Sequence, residues 1–341
     1  MADRIVSLTE IPYDWLAPGV HLEVRPNYKN MGLFAFPARA LIQAPIASAG
    51  TANAGDIQQI TRPEQADAFY GLGTIGARMA RAFVAANKTS PLFVLGVAED
   101  ETWTAASGTI TFGGAGRGDL PLYIGGQRVA VTIGADQTTA QIASSFAVAI
   151  NQRVDLYVTA AAAGAVLTLT AKNLGVLGNE IDLRFGYFAD EAMPAGLTAD
   201  IVPMNGGAGE PDVQTACQDV IAEAWYTDIV SPWSSGAVLS AYELDLAERY
   251  KAMGKRDAGL WQAWRGSFGE LNAKSAMTNS PHISAIGFSG SPTPSWEWAA
   301  SLAVSACSTS PTIRRGSSGR CRCPEFCLRQ LPSGRPIPSA T

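Results

Sequence analysis

Two histidines, His21 and His282, are all the imidazole chemistry this chain offers. Neither stands in a nucleophile elbow, a metal-ligand spacing or a catalytic-loop signature. His282 follows Asn279-Ser280-Pro281 at the head of an apolar run, which predicts a hydrogen-bonding role rather than general-base work. The pattern closest to a cofactor site is Gly71-Leu72-Gly73-Thr74-Ile75-Gly76, followed by helical residues through Ala86, an apolar run from Leu92 to Val97 and the acids Glu99 and Asp100. Such glycines serve dinucleotides when the turn comes straight off a strand, so that a pyrophosphate meets the N-terminus of a helix. Here they follow a predicted helix, Glu64 to Tyr70, and a helix–helix turn is the favoured reading.

Other chemistry-bearing residues point the same way. Asp136, Asp155 and Asp182 are scattered without calcium-ligand spacing and read as solvated loop carboxylates. Cys321, Cys323 and Cys327 are closely spaced, yet no second ligand pair follows and no apolar pattern surrounds them for a metal to clip together. Trp261, Trp264, Trp296 and Trp298 read as packing in a core or at a subunit interface rather than as a stacking platform. No catalytic residue, cofactor or metal is expected, and the chain is not expected to be an enzyme.

The elements around these residues set the fold class. Tyr226–Val230, Leu260–Trp264 and His282–Phe288 are short apolar runs separated by a helical pattern from Val238 to Met253, capped by Ser235, and by a polar helix-like segment. Alternation of this kind predicts a parallel sheet wrapped by crossovers. Arg39–Ala44 and Leu92–Val97 read as further core strands, and Pro211 to Glu223 as a helix. From Thr104 to about Met204 the texture changes to Ser, Thr, Gly and β-branched residues. Gly108–Phe112, Leu120–Ile124, Arg128–Ile133, Leu156–Ala160, Val166–Ala171 and Ile181–Phe185 read as strands around one helix, Thr139 to Gln152. The expected fold is α/β, with a mixed or mostly parallel sheet and flanking helices, interrupted by an inserted β-rich domain and preceded by an extended N-terminal arm. The boundaries are 1–34 for the arm, 35–103 with 206–307 for a discontinuous core, 104–205 for the insertion and 308–341 for a disordered tail.

Charge separates the tail from the body. Over the 341 residues the net charge is −5, from 25 basic and 30 acidic residues. Six Arg and one acid lie from Ser308 onward, so the first 307 residues carry 19 − 29 = −10. Nothing suggests nucleic-acid binding. No segment reaches the roughly 18 to 20 uninterrupted apolar residues of a membrane span, and Met1 to Ser7 lacks a signal core. Four of the five cysteines stand at or beyond Cys307, which leaves no disulfide framework in the body.

An ordered set of pieces then resembles a known family. The pieces are Ile11-Pro12, Pro18-Gly19-Val20 with Glu23, Leu122-Tyr123-Ile124-Gly125-Gly126 with Val129-Ala130-Val131, and Leu169-Thr170-Ala171-Lys172 before Gly178-Asn179. Asn205-Gly206-Gly207, Asn279-Ser280-Pro281-His282, and Pro292-Thr293-Pro294 with Glu297-Trp298-Ala299-Ala300 complete it. Together they resemble contractile phage tail sheath proteins of the Mu-like type. The resemblance implies a non-catalytic subunit, made in the host cytoplasm, that stacks as hexameric rings around a tail tube in the virion tail. It also implies tube, baseplate and tail-terminator proteins as partners, and terminal arms that join neighbours by strand addition. On that basis Pro18, Gly19, Val20, Leu22 and Val24 are the subunit-interface candidates. After Ala306 the sequence departs from the family, and the Cys-, Ser- and Arg-rich tail reads as out-of-frame translation of a GC-rich gene, with an assembly-defective product expected. Three alternatives stay open at this point: the sheath of a related contractile secretion system, a nicotinamide-dependent oxidoreductase using Gly71–Gly76, and an adhesion module.

Overall fold

The computed structural model describes residues 38–188, 190–251 and 253–308. The arm candidates Pro18, Gly19, Val20, Leu22 and Val24 lie outside the described residues, as does the tail beyond Ser308.

The chain enters at β1 (Ala40–Ile46), turns outward through β2 (Ile57–Ile60), and passes α1 (Pro63–Tyr70) and α2 (Ile75–Ala86) before β3 (Leu92–Ala98). Then come β4 (Ala105–Gly114), β5 (Gly118–Ile124), β6 (Gln127–Ile133), α3 (Thr139–Gln152), β7 (Val158–Ala163), β8 (Val166–Leu174), β9 (Leu183–Phe185) and β10 (Leu197–Asn205). A π-helical turn, Gln214–Gln218, runs into the short α4 (Asp219–Ile221). Strand β11 (Asp228–Val230), α5 (Gly236–Tyr250), β12 (Gly259–Arg265), α6 (Phe268–Ser275), β13 (Ile283–Phe288) and α7 (Ser295–Ser308) follow.

A mixed six-stranded sheet runs β13-β12-β11-β1-β3-β2, with every pairing parallel except β2 against β3. Its middle strand, Ala-Leu-Ile-Gln-Ala-Pro-Ile, is buried almost throughout, because helices on both faces leave a parallel strand no wet side. The Tyr70 hydroxyl lies 3.1 Å from Ile42 O and 2.9 Å from Leu95 O and so braces α1 against β1 and β3. Strands β4 to β10 build two antiparallel sheets of order β10-β4-β8-β7 and β6-β5-β9. Helix α3 covers them through Ile142, Phe146 and Ile150, and Phe146 stacks on Phe112 at 5.4 Å. The two crossings into and out of this stretch are paired, since Thr104 N donates to Ala208 O at 3.0 Å and Ala208 N to Thr104 O at 3.3 Å.

Local chemistry explains the helix starts. Thr74, Thr138, Ser235 and Ser267 each accept a bond from the backbone N–H three residues on, satisfying donors the helix leaves open. Where the sequence expectations fail, contacts from elsewhere decide. The helix expected over Pro211 to Glu223 is present but shorter, a π-helical turn running into α4, and it stops because Ala222 turns to φ 42°. Its carbonyl is held there by guanidinium donors of Arg249 (3.3 Å) and Arg256 (2.6 Å), far along the chain. The α5 helix begins two residues before Val238 and stops at Tyr250, since Lys251 is extended. Strand β10 goes unrecognised in the sequence because Pro203 interrupts it, and the register against β4 shifts between Val202 and Asn205. Strand β2 is too short to show a period.

Candidate assembly surface

The glycine turn is filled by the protein itself. Gly71 and Gly73 take φ of 100° and 78° between α1 and α2, and a Cβ at Gly73 would come within 2.5 Å of Leu156 O. Lys172 of β8 donates to Leu72 O at 3.2 Å and to Val154 O at 2.7 Å. At the head of α2, Ile75 N donates to Asn173 Oδ1 at 3.0 Å, so a donor that a pyrophosphate would need is already bonded. Asn173 also donates to Glu99 Oε1 at 2.7 Å. Burial pushes the Glu99 pKa up while that bond opposes the rise. The oxidoreductase alternative finds no free cradle here.

The same loop belongs to a seam joining the six-stranded sheet to the antiparallel sheets. At its centre Glu297, 3% exposed, accepts from Arg78 Nε at 3.0 Å and from the Tyr157 hydroxyl, while Trp296 Nε1 donates to Tyr157 Oη at 3.1 Å. Arg265 of β12 bonds Asp182 Oδ1 at 2.6 Å and Glu180 O at 2.9 Å. Arg184 bonds Asp182 and Gly290 O, and the Ser295 hydroxyl bonds Glu180. Burial is the largest influence on Tyr157, holding its pKa well above the usual phenol value, and the Glu297 charge adds to it. Trp296 packs as the sequence predicted, but Asp182, expected as a solvated loop carboxylate, is instead largely buried between Arg184 and Arg265, and the other pairings were not recognisable from the sequence. Partners such as Arg78 and Glu297 stand 219 positions apart, and only the Glu297-Trp298-Ala299-Ala300 motif hinted at a fixed role.

The remaining sequence candidates fall into packing roles. Trp296 is fully buried, Trp298 stacks on Phe288 at 5.3 Å, Trp261 Nε1 donates to Asp228 Oδ1 at 2.9 Å, and Trp264 lies under Lys274. The His282 ring sits 4.9 Å from that of Tyr250. Cys217 is buried, which pushes its thiol up to about 12 and makes it a poor nucleophile. An open cleft of about 780 Å3 beside Gly96–Trp103 and Glu210–Asp212 is acidic, but among the described residues no group of His, Cys, Asp or Glu is placed to hold a metal.

What the surface offers is sheet edges, and they differ. Strand β2 has four residues, two of them exposed glutamines. Strand β7 is capped at its middle, where the Asn151 amide donates to Ala160 O at 2.8 Å and accepts from Ala160 N at 2.9 Å. Among the described residues, strand β13, Ile-Ser-Ala-Ile-Gly-Phe, pairs only with β12. It has no charge, proline or capping side chain, devices that usually blunt an edge. Leu244, Phe268 and Met277 are 74%, 87% and 57% exposed.

No protein-family profile matches the chain. Over 301 residues it is 29% identical to the Mu-like prophage FluMu tail sheath protein of Haemophilus influenzae, a match covering 88% of this chain and 62% of that protein. Among solved structures, the sheath tail protein of Desulfitobacterium hafniense aligns at 12% identity, covering 83% of this chain and 61% of that one with a TM-score of 0.35. That of Listeria innocua aligns at 13%, covering 82% and 58% with a TM-score of 0.33. The chain thus spans less than two thirds of the length of these relatives, and its resemblance is to the tail sheath protein of a Mu-like prophage.

Proposed function

We propose that the chain is a structural subunit of a contractile tail sheath, polymerising with copies of itself around a tail tube and contracting to drive that tube into a host envelope. The observation that carries this reading is the 301-residue match to a tail sheath protein. An internal seam that pairs Arg78 with Glu297 and Arg265 with Asp182, and a glycine-rich turn filled by the chain's own side chains, support a structural role over the oxidoreductase alternative. Tube, baseplate and terminator proteins are the other partners proposed, with the virion tail as destination after synthesis in the host cytoplasm.

The domain reading belongs to the same proposal. Residues 35–103 with 206–307 form the sheath core and 104–205 an insertion, supported by the Thr104–Ala208 bridge where the chain leaves and returns. Pro18, Gly19, Val20, Leu22 and Val24 form an arm for strand addition, and 308–341 is an out-of-frame replacement of sequence that assembly needs. Expression of this form beside a frame-restored form, with both viewed by electron microscopy, tests the reading. Regular tubes are expected from the restored form alone. Tubes from the 341-residue form would refute the assembly defect, and their absence from both would refute the sheath reading.

A further inference from the structure

We propose that residues 214–224 are a strained latch, kept turned at Ala222 by Arg249 and Arg256 and running on as helix through Ala224 once those two side chains let go. The proposal goes beyond the sheath reading and does not rest on it.

Three misfits fall within this short stretch. In the π-helical turn Gln214–Gln218, the Asp219 N–H reaches back to Gln214 O rather than to Thr215 O, a departure from the α-helix that is frequent at functional sites. Gln218 is 2% exposed, and among the described residues neither its Nε2 nor its Oε1 meets a hydrogen-bond partner. A buried amide left unbonded is costly. Ala222 takes φ 42° and ψ −114°, close to the first central position of a type II′ turn, where glycine is the usual residue because it has no Cβ. Ala224 N closes the turn on Ile221 O at 2.8 Å.

Local preference runs the other way. Ala222, Glu223 and Ala224 follow the helix directly, and alanine and glutamate are strong helix formers. Ala222 N already makes the helical bond to Gln218 O at 3.0 Å, so the backbone angles of Ala222 are what part the turn from a continued helix. The contacts that oppose continuation come from beyond β11. Arg256 Nη1 donates to Ala222 O at 2.6 Å and pairs with Glu223 at 2.8 Å. Arg249, buried and fixed by Asp245 at 2.6 Å, donates to Ala222 O at 3.3 Å and Ala224 O at 3.5 Å. Helical angles at Ala222 would swing its carbonyl along the helix axis and give up these bonds.

The clamp is strained on both sides. Among the described residues, the other non-glycine with positive φ is Lys255, at 53°, which immediately precedes Arg256. Strain of this kind persists only where the surrounding structure over-determines it, and it collects at switch regions. Arg249 stands in the last turn of α5 and Arg256 on the way to β12, while residues 225–227 lead from the turn into β11. Trp225 Nε1 donates across to Asp257 O at 2.9 Å. Displacement of the connection from α5 to β12 therefore frees the turn beside it, and the latch couples the entries to two neighbouring strands of the parallel sheet.

The test uses the full, unassembled chain with 13C-labelled alanine and glutamate, read by NMR and by thermal unfolding. Ala222→Gly should raise the melting temperature by about 2 °C or more, because glycine takes the turn without strain. At an unstrained position glycine costs stability, so an unchanged or lower melting temperature would overturn the proposal. Arg256→Met should move the Cα shifts of Ala222 and Glu223 to helical values. Adding Ala222→Gly to it should return the Glu223 shift to that of the parent, since glycine favours the turn and disfavours the helix. Shifts in Arg256→Met that stay at parent values or fall to those of a disordered chain overturn the latch, as does a Glu223 shift still helical in the double variant. No reading involves assembly, so each of these failures leaves the sheath reading intact.

Discussion

Glu297 is a carboxylate taken out of water and met there by two donors. Arg78 supplies the opposite charge at 3.0 Å, and Tyr157 supplies a second donor. A buried pair of this kind gives little net stability over an apolar pair, but breaking it strands a charge. Glu297→Ala should cost roughly 3–5 kcal/mol by urea unfolding, while Arg78→Met with Glu297→Leu should recover most of the loss. Equal damage from the single and double variants would mean that volume, not charge, decides the site. Glu180 at the same seam gives a pH signature. Burial, its largest influence, raises its pKa above the ordinary 4.5, against the opposing Ser295 bond and the Lys274 and Arg265 charges. A carboxyl whose folded-state pKa is raised contributes stability fully below the unfolded value and loses it as pH climbs through the folded value. Between about pH 4 and pH 7 the parent should lose more stability than Glu180→Gln, a gap that closes at the acid end. Parallel pH curves would place the burial cost on another group.

Among the elements, β7 shows how an edge is silenced. Its run Thr-Ala-Ala-Ala-Ala from residue 159 has no bulky or charged residue to deter pairing, and Asn151 of α3 occupies the groups at Ala160 instead. Because both sides of that bond reach water, Asn151→Ala should cost no more than about 1 kcal/mol of folding stability. Its effect should appear as concentration-dependent association in light scattering. A monomeric variant at high concentration would show that α3 shields the edge by bulk alone.

At the scale of the whole molecule, the crossings at Thr104 and Ala208 and the seam make opposing demands. Adjacent crossings favour clean removal of 104–204 with a short Gly-Ser bridge, the outcome an independently folded insertion would give. Yet that removal takes Tyr157 from Glu297, Asn173 from the head of α2, and Asp182 and Glu180 from Arg265. Trp296 would lose the aromatic partner it meets at 5.5 Å. We expect the remainder to melt earlier than the parent and to aggregate. A soluble remainder with an unchanged melting temperature would make the seam dispensable.

The sequence alone determined the elements whose signals are local. Helix α3 was legible to the residue because Thr138 and Gln141 close its first turn, and the buried parallel strands were legible as short, mostly apolar runs. Even the glycine turn could be read against its motif, since what precedes Gly71 is a helix. Tertiary structure decided whatever depends on two distant stretches meeting. It gave Ala222 its left-handed turn through Arg256 and carried β10 past Pro203 by pairing with β4. It also brought Arg78 to Glu297 and, among the described residues, left β13 paired on one side only. A cap or a period is a free energy shared among neighbours in the chain, and so it is written there. A buried charge or a free edge has no energy until the rest of the molecule has removed the water or stopped short of covering it.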